Sequence, residues 1–390
     1  MISINDSKTR VIIFGQHAWN TLGQIRSFGE LGLRPDVVWV KGDLVVPSKS
    51  KYINQFHIVD SFEDGLNCIK HEYTDRNYSY VISTDSDVVV SLFDLHYDEL
   101  KERFYFFNAS QQGRLNQFLP KHAQYQLAKK YGLKVPKTEI VKKGFLPHDL
   151  NYPIITKTID SFTRNWKDNY VICHSEQELL DAYKLINQDN LLLQEFIEKK
   201  NEVAIEGISI KQGEDIYIPV QGEYIRVEPG GYGSWKRNEI YHLGEEMRDK
   251  IQQIIKEIKF SGVFEMEFLK DKNDNLYFLE INFRHTQYNH ALADMGVNMS
   301  KLLLEGFLNN YLCVDNLIIK SPHIVMNERR DFDTYIRTNK ISLRSWLSDI
   351  RKTDSFYIYD RYDRYPFYDY IFSLIKGRIS LFFRKIRIIK

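Results

Sequence analysis

Two carboxylates, an amide and an arginine recur at strand-like spacing within residues 264–290. Glu267 stands in the alternating segment FEMEFL, and Glu280, Asn282 and Arg284 stand in a second one, LYFLEINFR. The polar run between these segments predicts a β-hairpin, in which side chains two residues apart share one face. Mg²⁺ takes one or two carboxylates together with substrate phosphates, and an arginine beside it would hold an anion. The pattern therefore predicts a site for Mg²⁺ and a polyphosphate.

The hairpin has two alternative interpretations. The turn DKNDN begins at Asp271 like a calcium-binding loop, but Leu276 stands where such a loop needs glycine and Asn282 where it needs glutamate. The other alternative is a solvated hairpin face with incidental charge. We interpret the turn as a polar connection and the face as a metal site.

The order Glu267, Glu280, Asn282 and Arg284 resembles the metal-binding signature of the ATP-grasp superfamily. Other segments agree in order and spacing: YPIITK before residue 158 resembles the strand with the phosphate-binding lysine, and LLLQEFI from 191 to 197 resembles the strand and hinge that receive adenine. The resemblance covers roughly residues 10 to 310. It implies nucleotide contacts for Lys121, Lys157, Gln194, Glu195, Phe196, Ile197 and Glu202.

The same resemblance implies ATP as cofactor with Mg²⁺, expected as two ions for which Mn²⁺ can substitute. Glu267, Glu280 and Asn282 are then the metal ligands, whereas Arg284 and Lys157 act in catalysis. A carboxylate attacks the γ-phosphoryl group and ADP leaves; an amine then attacks the acyl phosphate and phosphate leaves. Catalysis therefore rests on positioning and charge neutralisation.

The implied activity is that of a carboxylate–amine ligase resembling the D-aspartate ligase type, found with cell-wall and surface-polysaccharide synthesis. Three alternatives stay open: an ATP-grasp phosphotransferase, an acid–thiol ligase, and a non-catalytic nucleotide-binding regulator. The regulator stays open because the segment 158–167 lacks the glycines with which many relatives close over phosphates.

Candidates for an anionic substrate lie in two places. A loop over 228–237 has three glycines and basic neighbours, which predicts a flexible cationic lid. The end of the first strand would face the cleft of a parallel sheet. The candidate residues are Arg226, Tyr232, Lys236, Arg237, His17 and Asn20.

Strands and helical patterns alternate over the first 115 residues, which predicts a parallel sheet covered by helices. We therefore expect an α/β and α+β protein: a parallel-sheet pre-ATP-grasp domain followed by an ATP-grasp fold and a C-terminal extension. The expected bounds are 1–115, then 116–315 (a lysine and lid part, 116–196, and a metal-site part, 197–315), then 316–390.

Composition narrows the function classes. A net charge of +1 over 390 residues gives no overall attraction to nucleic acid, so the expected partners are a small carboxylate and an amine, with a homo-oligomer allowed. Three widely spaced cysteines argue against a disulfide framework, and the start of the sequence shows no apolar signal core. We expect a cytoplasmic protein.

The tail from Tyr370 to Lys390 places isoleucines and Phe382 on one side of a predicted helix and several basic residues broadly opposite. Such a helix suits peripheral contact with an anionic membrane at the inner face. The alternative is a helix that docks on its own protein or on a partner subunit.

Overall fold

The computed structural model describes residues 8–42, 45–157, 170–227 and 233–388, with side chains as far as residue 376. Two predicted features lie outside these ranges, namely the glycine-free segment 158–167 and the first half of the predicted lid, 228–232, which includes Tyr232.

The N-terminal part is a five-stranded parallel sheet, as the alternation predicts. Its strand order is β3-β2-β1-β4-β5, so the chain changes direction across the sheet between β1 and β4, where ligands bind in such sheets. Apolar side chains pack on both faces. The strands are β1 (Thr9–Gly15), β2 (Asp36–Val40), β3 (Phe56–Val59), β4 (Ser79–Thr84) and β5 (Phe104–Tyr105), and the helices are α1 (Ala18–Gly29), α2 (Phe62–Glu72), α3 (Asp87–Leu95) and α4 (Tyr97–Leu100).

A smaller antiparallel sheet follows, with strand order β6-β9-β7-β8. The helix α6 packs its apolar residues against this sheet, and Ser175 caps that helix by accepting a hydrogen bond from the Glu178 amide. The elements are α5 (Lys121–Lys130), β6 (Thr138–Lys142), β7 (Ile154–Lys157), β8 (Ile172–Cys173), α6 (Glu176–Leu185) and β9 (Asn190–Glu195).

The largest sheet has seven strands in the order β14-β13-β10-β11-β12-β15-β16, antiparallel except for the last pair. The helical spacing of isoleucines over residues 245–259 predicts a packing helix, and helix α7 indeed buries Ile251, Ile254, Ile255 and Ile258 in the main core. The elements are β10 (Lys199–Ile210), β11 (Asp215–Arg226), β12 (Trp235–Ile240), α7 (Glu245–Ile258), β13 (Gly262–Asp271) and β14 (Leu276–Asn282).

The C-terminal residues join the rest of the molecule, since they add two strands to the large sheet. The last helix also packs on the N-terminal part, where Tyr370 meets Trp19 edge to face. The elements are α8 (Asn289–Met295), α9 (Met299–Asn309), β15 (His323–Met326), α10 (Glu328–Asp331), a π-helical turn (Phe332–Ile336), α11 (Leu343–Ile350), β16 (Ser355–Phe356) and α12 (Tyr365–Ile388).

One local prediction is wrong. Residues 235–237, which we assigned to a flexible lid, lie in β12, which is hydrogen-bonded to β11 on one side and β15 on the other. The glycines that suggest a lid end at Gly233, and β15 supplies the second pairing edge from far along the chain. Strand pairing therefore overrides the local glycine signal.

Candidate active site

The predicted hairpin is present, with Glu267 directly opposite Glu280 and Glu265 directly opposite Asn282. Side chains two residues apart share one face of a strand, so Glu265 and Glu267 both project beside Asn282. The Asn282 Nδ2 atom lies 3.2 Å from Glu265 Oε2 and 3.2 Å from Glu267 Oε1, donating to both. We call this surface, together with Glu206 on β10, the acidic face of the large sheet.

The acidic face holds more negative charge than its own residues neutralise. Burial raises the pKa of Glu267 well above its usual range, and the neighbouring Glu265 and Glu280 raise it further. Glu280 behaves differently: burial alone would raise its pKa, but Lys121, whose Nζ lies 3.1 Å from Glu280 Oε2, outweighs burial together with Arg284 and Lys157, and the pKa is lowered. A divalent cation could replace the proton that Glu267 favours, so the donor set of two carboxylates and an amide oxygen fits Mg²⁺.

Two lysines face the acidic face from the smaller sheet and its preceding helix. Lys121 begins α5, and its pKa is raised chiefly by Glu280. Lys157 ends β7 and donates to Gln194 Oε1 at 2.6 Å. Burial lowers the pKa of Lys157, and although Tyr125 opposes this, Lys121 adds to it. Two neighbouring ammonium groups at a buried place can pair with phosphates, and their contact with a nucleotide stays a prediction.

Arg284 connects the hairpin with the N-terminal sheet. Its Nε donates to Asp87 Oδ2 at 2.9 Å, and its Nη2 donates to Asn282 Oδ1 at 3.0 Å. Asp87 is the first residue of α3, next to the carboxyl end of β4. The guanidinium group therefore lies at the junction between the metal-site candidates and the cleft edge of the parallel sheet, where an anion would be held.

The two N-terminal candidates lie at the same edge of the sheet. His17 precedes α1 and lowers the pKa of the buried Asp85, although burial dominates and keeps that pKa raised overall. Asp85 accepts hydrogen bonds from Thr21 and from the Gln16 amide. The Asn20 carbonyl accepts from the side chain of Asn289, which gives Asn20 a packing contact with α8.

The adenine candidates lie at the end of β9, where the small sheet passes into β10. Gln194 is buried, and its side-chain oxygen accepts a hydrogen bond from Lys157. The Phe196 amide donates to the Pro153 carbonyl at 3.1 Å. Glu202 accepts from Lys199 at 2.8 Å. The half-buried residues Glu195, Phe196 and Ile197 form a narrow junction. Their contact with adenine and that of Glu202 with ribose stay predictions.

The substrate candidates that the structure describes on β11 and β12 differ in their ion pairs and exposure. Arg226 is ion-paired with Asp331 at 3.2 Å and with Asp349 at 3.1 Å, which ties β11 to the C-terminal residues. Arg237 is exposed and paired with Glu239. Lys236 is 1% exposed and faces the acidic face. Binding of an anionic substrate by these residues stays a prediction.

Sequence reasoning missed four residues of this region: Glu206, Glu265, Asn238 and Asp87. Glu265 could have been found, because it stands two residues before Glu267 and must share its face. Glu206 lies directly opposite Glu265 across the β10–β13 ladder, and Asn238 lies on β12. Only the strand order brings these two residues to the site.

No model of a known protein family matches the sequence. An N5-carboxyaminoimidazole ribonucleotide synthase of Staphylococcus haemolyticus (strain JCSC1435) is 26% identical over 258 residues, which are 59% of this chain and 66% of the relative, just under two thirds of its length. A D-aspartate ligase of Enterococcus faecium (strain Aus0004) is 23% identical over 350 residues, or 80% of this chain and 79% of the relative.

The solved structures agree on the fold. A crystal structure of N5-carboxyaminoimidazole synthetase from Staphylococcus aureus, complexed with ADP, superposes with a TM-score of 0.63 at 17% identity and covers 87% of this chain and 88% of that one. These likenesses agree with the expected fold class, a parallel-sheet domain followed by an ATP-grasp fold. The relatives and the shared fold agree with the resemblance to the ATP-grasp superfamily.

Proposed function

We propose that this chain is an ATP-dependent carboxylate–amine ligase that forms an amide through an acyl phosphate and releases ADP and phosphate. One observation carries the proposal: a buried acidic face lies opposite two neighbouring lysines, Lys121 and Lys157. On that face the Glu267 carboxyl has a raised pKa, because nearby cations do not balance the negative charge of its neighbours. A metal ion satisfies the first group and phosphates satisfy the second, so Mg²⁺ with ATP satisfies both together.

The residues have distinct roles in this proposal. Glu267, Glu280 and Asn282 hold Mg²⁺, which neutralises charge on the phosphates. Lys121 and Lys157 hold the phosphates, and Arg284 holds the acyl phosphate or the substrate carboxylate. The hinge at Glu195 to Ile197 receives adenine, and Glu202 binds the ribose hydroxyls. The reacting carboxylate supplies the nucleophile, so no enzyme nucleophile is needed.

The relatives support an amino acid as one substrate. The match to the D-aspartate ligase spans about four fifths of both chains, whereas the match to the ribonucleotide synthase spans 59% of this chain. We therefore propose an amino acid joined to a second small molecule, in the synthesis of a cell-wall or surface-polysaccharide precursor. This assignment places the enzyme in the cytoplasm, where ATP and such precursors occur.

Release of ADP and phosphate tests the proposal directly, measured with a panel of carboxylates and amines in the presence of Mg²⁺. Hydroxylamine added during turnover should trap the acyl phosphate as a hydroxamate. Formation of AMP and pyrophosphate would show adenylation and contradict the mechanism. ADP formation only with a thiol acceptor, or transfer of phosphate to a stable product, would favour an acid–thiol ligase or a phosphotransferase. Tight nucleotide binding without any turnover would favour a regulator.

We further propose that α12 contacts an anionic membrane surface. The helix docks through Phe367, Tyr370 and Leu374, as the docking alternative requires. A strip on another side is exposed, and the sequence after Asp369 contains basic residues and no acidic ones. Aromatic residues and cations together favour the interface of an anionic bilayer. The exposed strip consists of Tyr365, Tyr368, Ile371, Phe372 and Ile375.

Co-sedimentation with vesicles containing anionic lipid tests this contact. Phe372→Glu combined with Ile375→Glu should abolish binding, whereas Ile318→Glu, at an exposed isoleucine elsewhere, should leave it intact. Binding should weaken as salt rises, because the attraction is partly electrostatic. Equal sedimentation of the double variant and the unmodified chain would contradict the contact. Among the residues described, no helix has the length and apolarity to cross a membrane.

A further inference from the structure

Two polar side chains on β12 are buried without the hydrogen bonds that burial demands. Lys236 and Asn238 share one face of the strand, and each residue is 1% exposed. Among the described residues, Lys236 Nζ and both polar atoms of the Asn238 amide have no hydrogen-bond partner. Leaving such groups unpaired in a buried place is unfavourable, most of all for a charge. A bound ligand could therefore supply the hydrogen bonds that these atoms lack.

The backbone beneath these side chains carries small residues. Glu267, Ala204, Gly222 and Asn238 are successive cross-strand partners on β13, β10, β11 and β12. A Cβ atom on Gly222 would lie 2.3 Å from Lys236 Cε and 2.4 Å from Asn238 Oδ1. Gly222 therefore lets the Lys236 and Asn238 side chains lie against the backbone of β11, in the row that leads from the metal-site candidate Glu267 to Asn238.

Lys236 lies between two carboxylates of the acidic face. Its Nζ lies 3.9 Å from Glu206 Oε1 and 3.9 Å from Glu265 Oε1, too far for a hydrogen bond with either. The ring of Tyr288 lies 3.7 Å from Nζ and partly stabilises the ammonium group. That contact offers nothing to the Asn238 amide. At this spacing the donors of Lys236 Nζ stay unused and are available to a further group.

We propose that this cluster is a subsite for an α-amino acid, in which Lys236 and Asn238 hold the carboxylate and Glu206 and Glu265 hold the ammonium group. The two pairs of side chains match the two charges of the zwitterion. Glu265 also accepts from Asn282, which places the amino acid beside the metal ligands. The inference rests on the proposed function for the role of the amino acid as a substrate, but its binding does not require turnover.

The test measures binding of L- and D-amino acids to the full-length protein by calorimetry, with Mg²⁺ and a non-hydrolysable ATP analogue present. At least one amino acid should bind at least 10-fold more tightly than its analogue without the amino group and its analogue without the carboxylate. Lys236→Met and Asn238→Leu should each weaken that binding at least 10-fold and change affinity for the ATP analogue less than 2-fold. Lys272→Met, at an exposed lysine, is the control and should change neither affinity.

Gly222→Ala is a second, smaller change that displaces the Lys236 and Asn238 side chains without removing a charge, and it should weaken amino-acid binding in the same way. Equal binding by the unmodified chain, Lys236→Met and Gly222→Ala would overturn the subsite, as would equal affinity for the zwitterion and its two analogues. ADP release measured in parallel separates the two proposals. ADP formation with carboxylates that lack an amino group, unaffected by Lys236→Met, would overturn the subsite and leave the ligase standing.

Discussion

The acidic face and the lysine pair carry opposite electrostatic imbalances. On the acidic face, burial and neighbouring carboxylates raise the pKa of Glu267 and of Glu206. In the lysine pair, burial and the neighbouring Lys121 lower the pKa of Lys157, although Tyr125 opposes them. Lys121 lies between the two regions and is neutralised by Glu280. The shifts thus disfavour the charged forms of Glu267, Glu206 and Lys157, whereas Lys121 and Glu280 stabilise each other's charge.

This difference shows how a site can be preorganised for a cation and an anion that bind together. Side chains held in place before binding cost little reorganisation when the ligand enters. A metal ion would relieve the repulsion on the acidic face, and phosphates would relieve that between the lysines. The free protein therefore bears an electrostatic cost that Mg²⁺ with ATP would remove, and the following changes test each side of the comparison.

The largest effect is expected from Glu267→Gln. The amide is isosteric but cannot become an anionic metal ligand, so turnover should fall by roughly 10²-fold or more. Because the Glu267 carboxyl favours its protonated form in the free protein, the fold should keep its stability near neutral pH. Steady-state ADP release and thermal unfolding provide the measurements, with the exposed Glu214→Gln as control. Turnover close to that of the unmodified chain would remove Glu267 from the metal site.

Lys157→Met should weaken nucleotide binding on the other side of the comparison. A hydrogen bond to a charged group contributes about 1.5–3 kcal/mol, so affinity for an ATP analogue should fall roughly 10- to 100-fold. Methionine fills the same space without burying a charge, which protects the fold. Calorimetry measures the change, and Lys142→Met, exposed on β6, serves as control. Unchanged nucleotide affinity would assign Lys157 a structural role.

The pH dependence of stability should separate the acidic face from ordinary surface carboxylates. A group whose pKa is raised by folding binds more protons in the native state, so its contribution to stability is present below the unfolded pKa and is lost as pH rises toward the folded one. Removing Glu267 should therefore reduce the loss of stability above about pH 5, by at most about 1.4 kcal/mol per pH unit. Urea unfolding of the unmodified chain and Glu267→Gln across pH measures this, and parallel curves would contradict the shift.

The smallest effect on catalysis is expected from Arg226→Ala, which tests how far the functional region extends. Arg226 is paired with Asp331 and Asp349 and anchors the C-terminal residues. Its removal should change the KM of either substrate less than about 2-fold and lower the free energy of unfolding by about 1–3 kcal/mol, because the buried Asp331 loses a partner. A large rise in KM without loss of stability would return Arg226 to the substrate site.

Much of the fold was accessible from the sequence because the decisive signals are local. Alternation with a period of two places Glu280 and Asn282 on one face, and a polar turn pairs them with Glu267, as the structure confirms. The helical spacing of isoleucines predicts α7, and alternating strands and helices predict the parallel sheet. Each of these inferences depends on residues that are close together along the chain.

The rest of the site depends on contacts that no local pattern encodes. Strand order brings Glu206 opposite Glu265, and the register of β11 with β12 lays Lys236 and Asn238 around Gly222. The bond from Arg284 to Asp87 joins residues 197 positions apart. The sequence by itself determined the hairpin and the shared face of its polar side chains, because side-chain alternation is a property of the single strand. Only the tertiary structure decided which distant side chains complete the site, because sheet order and register are set by packing of the whole chain.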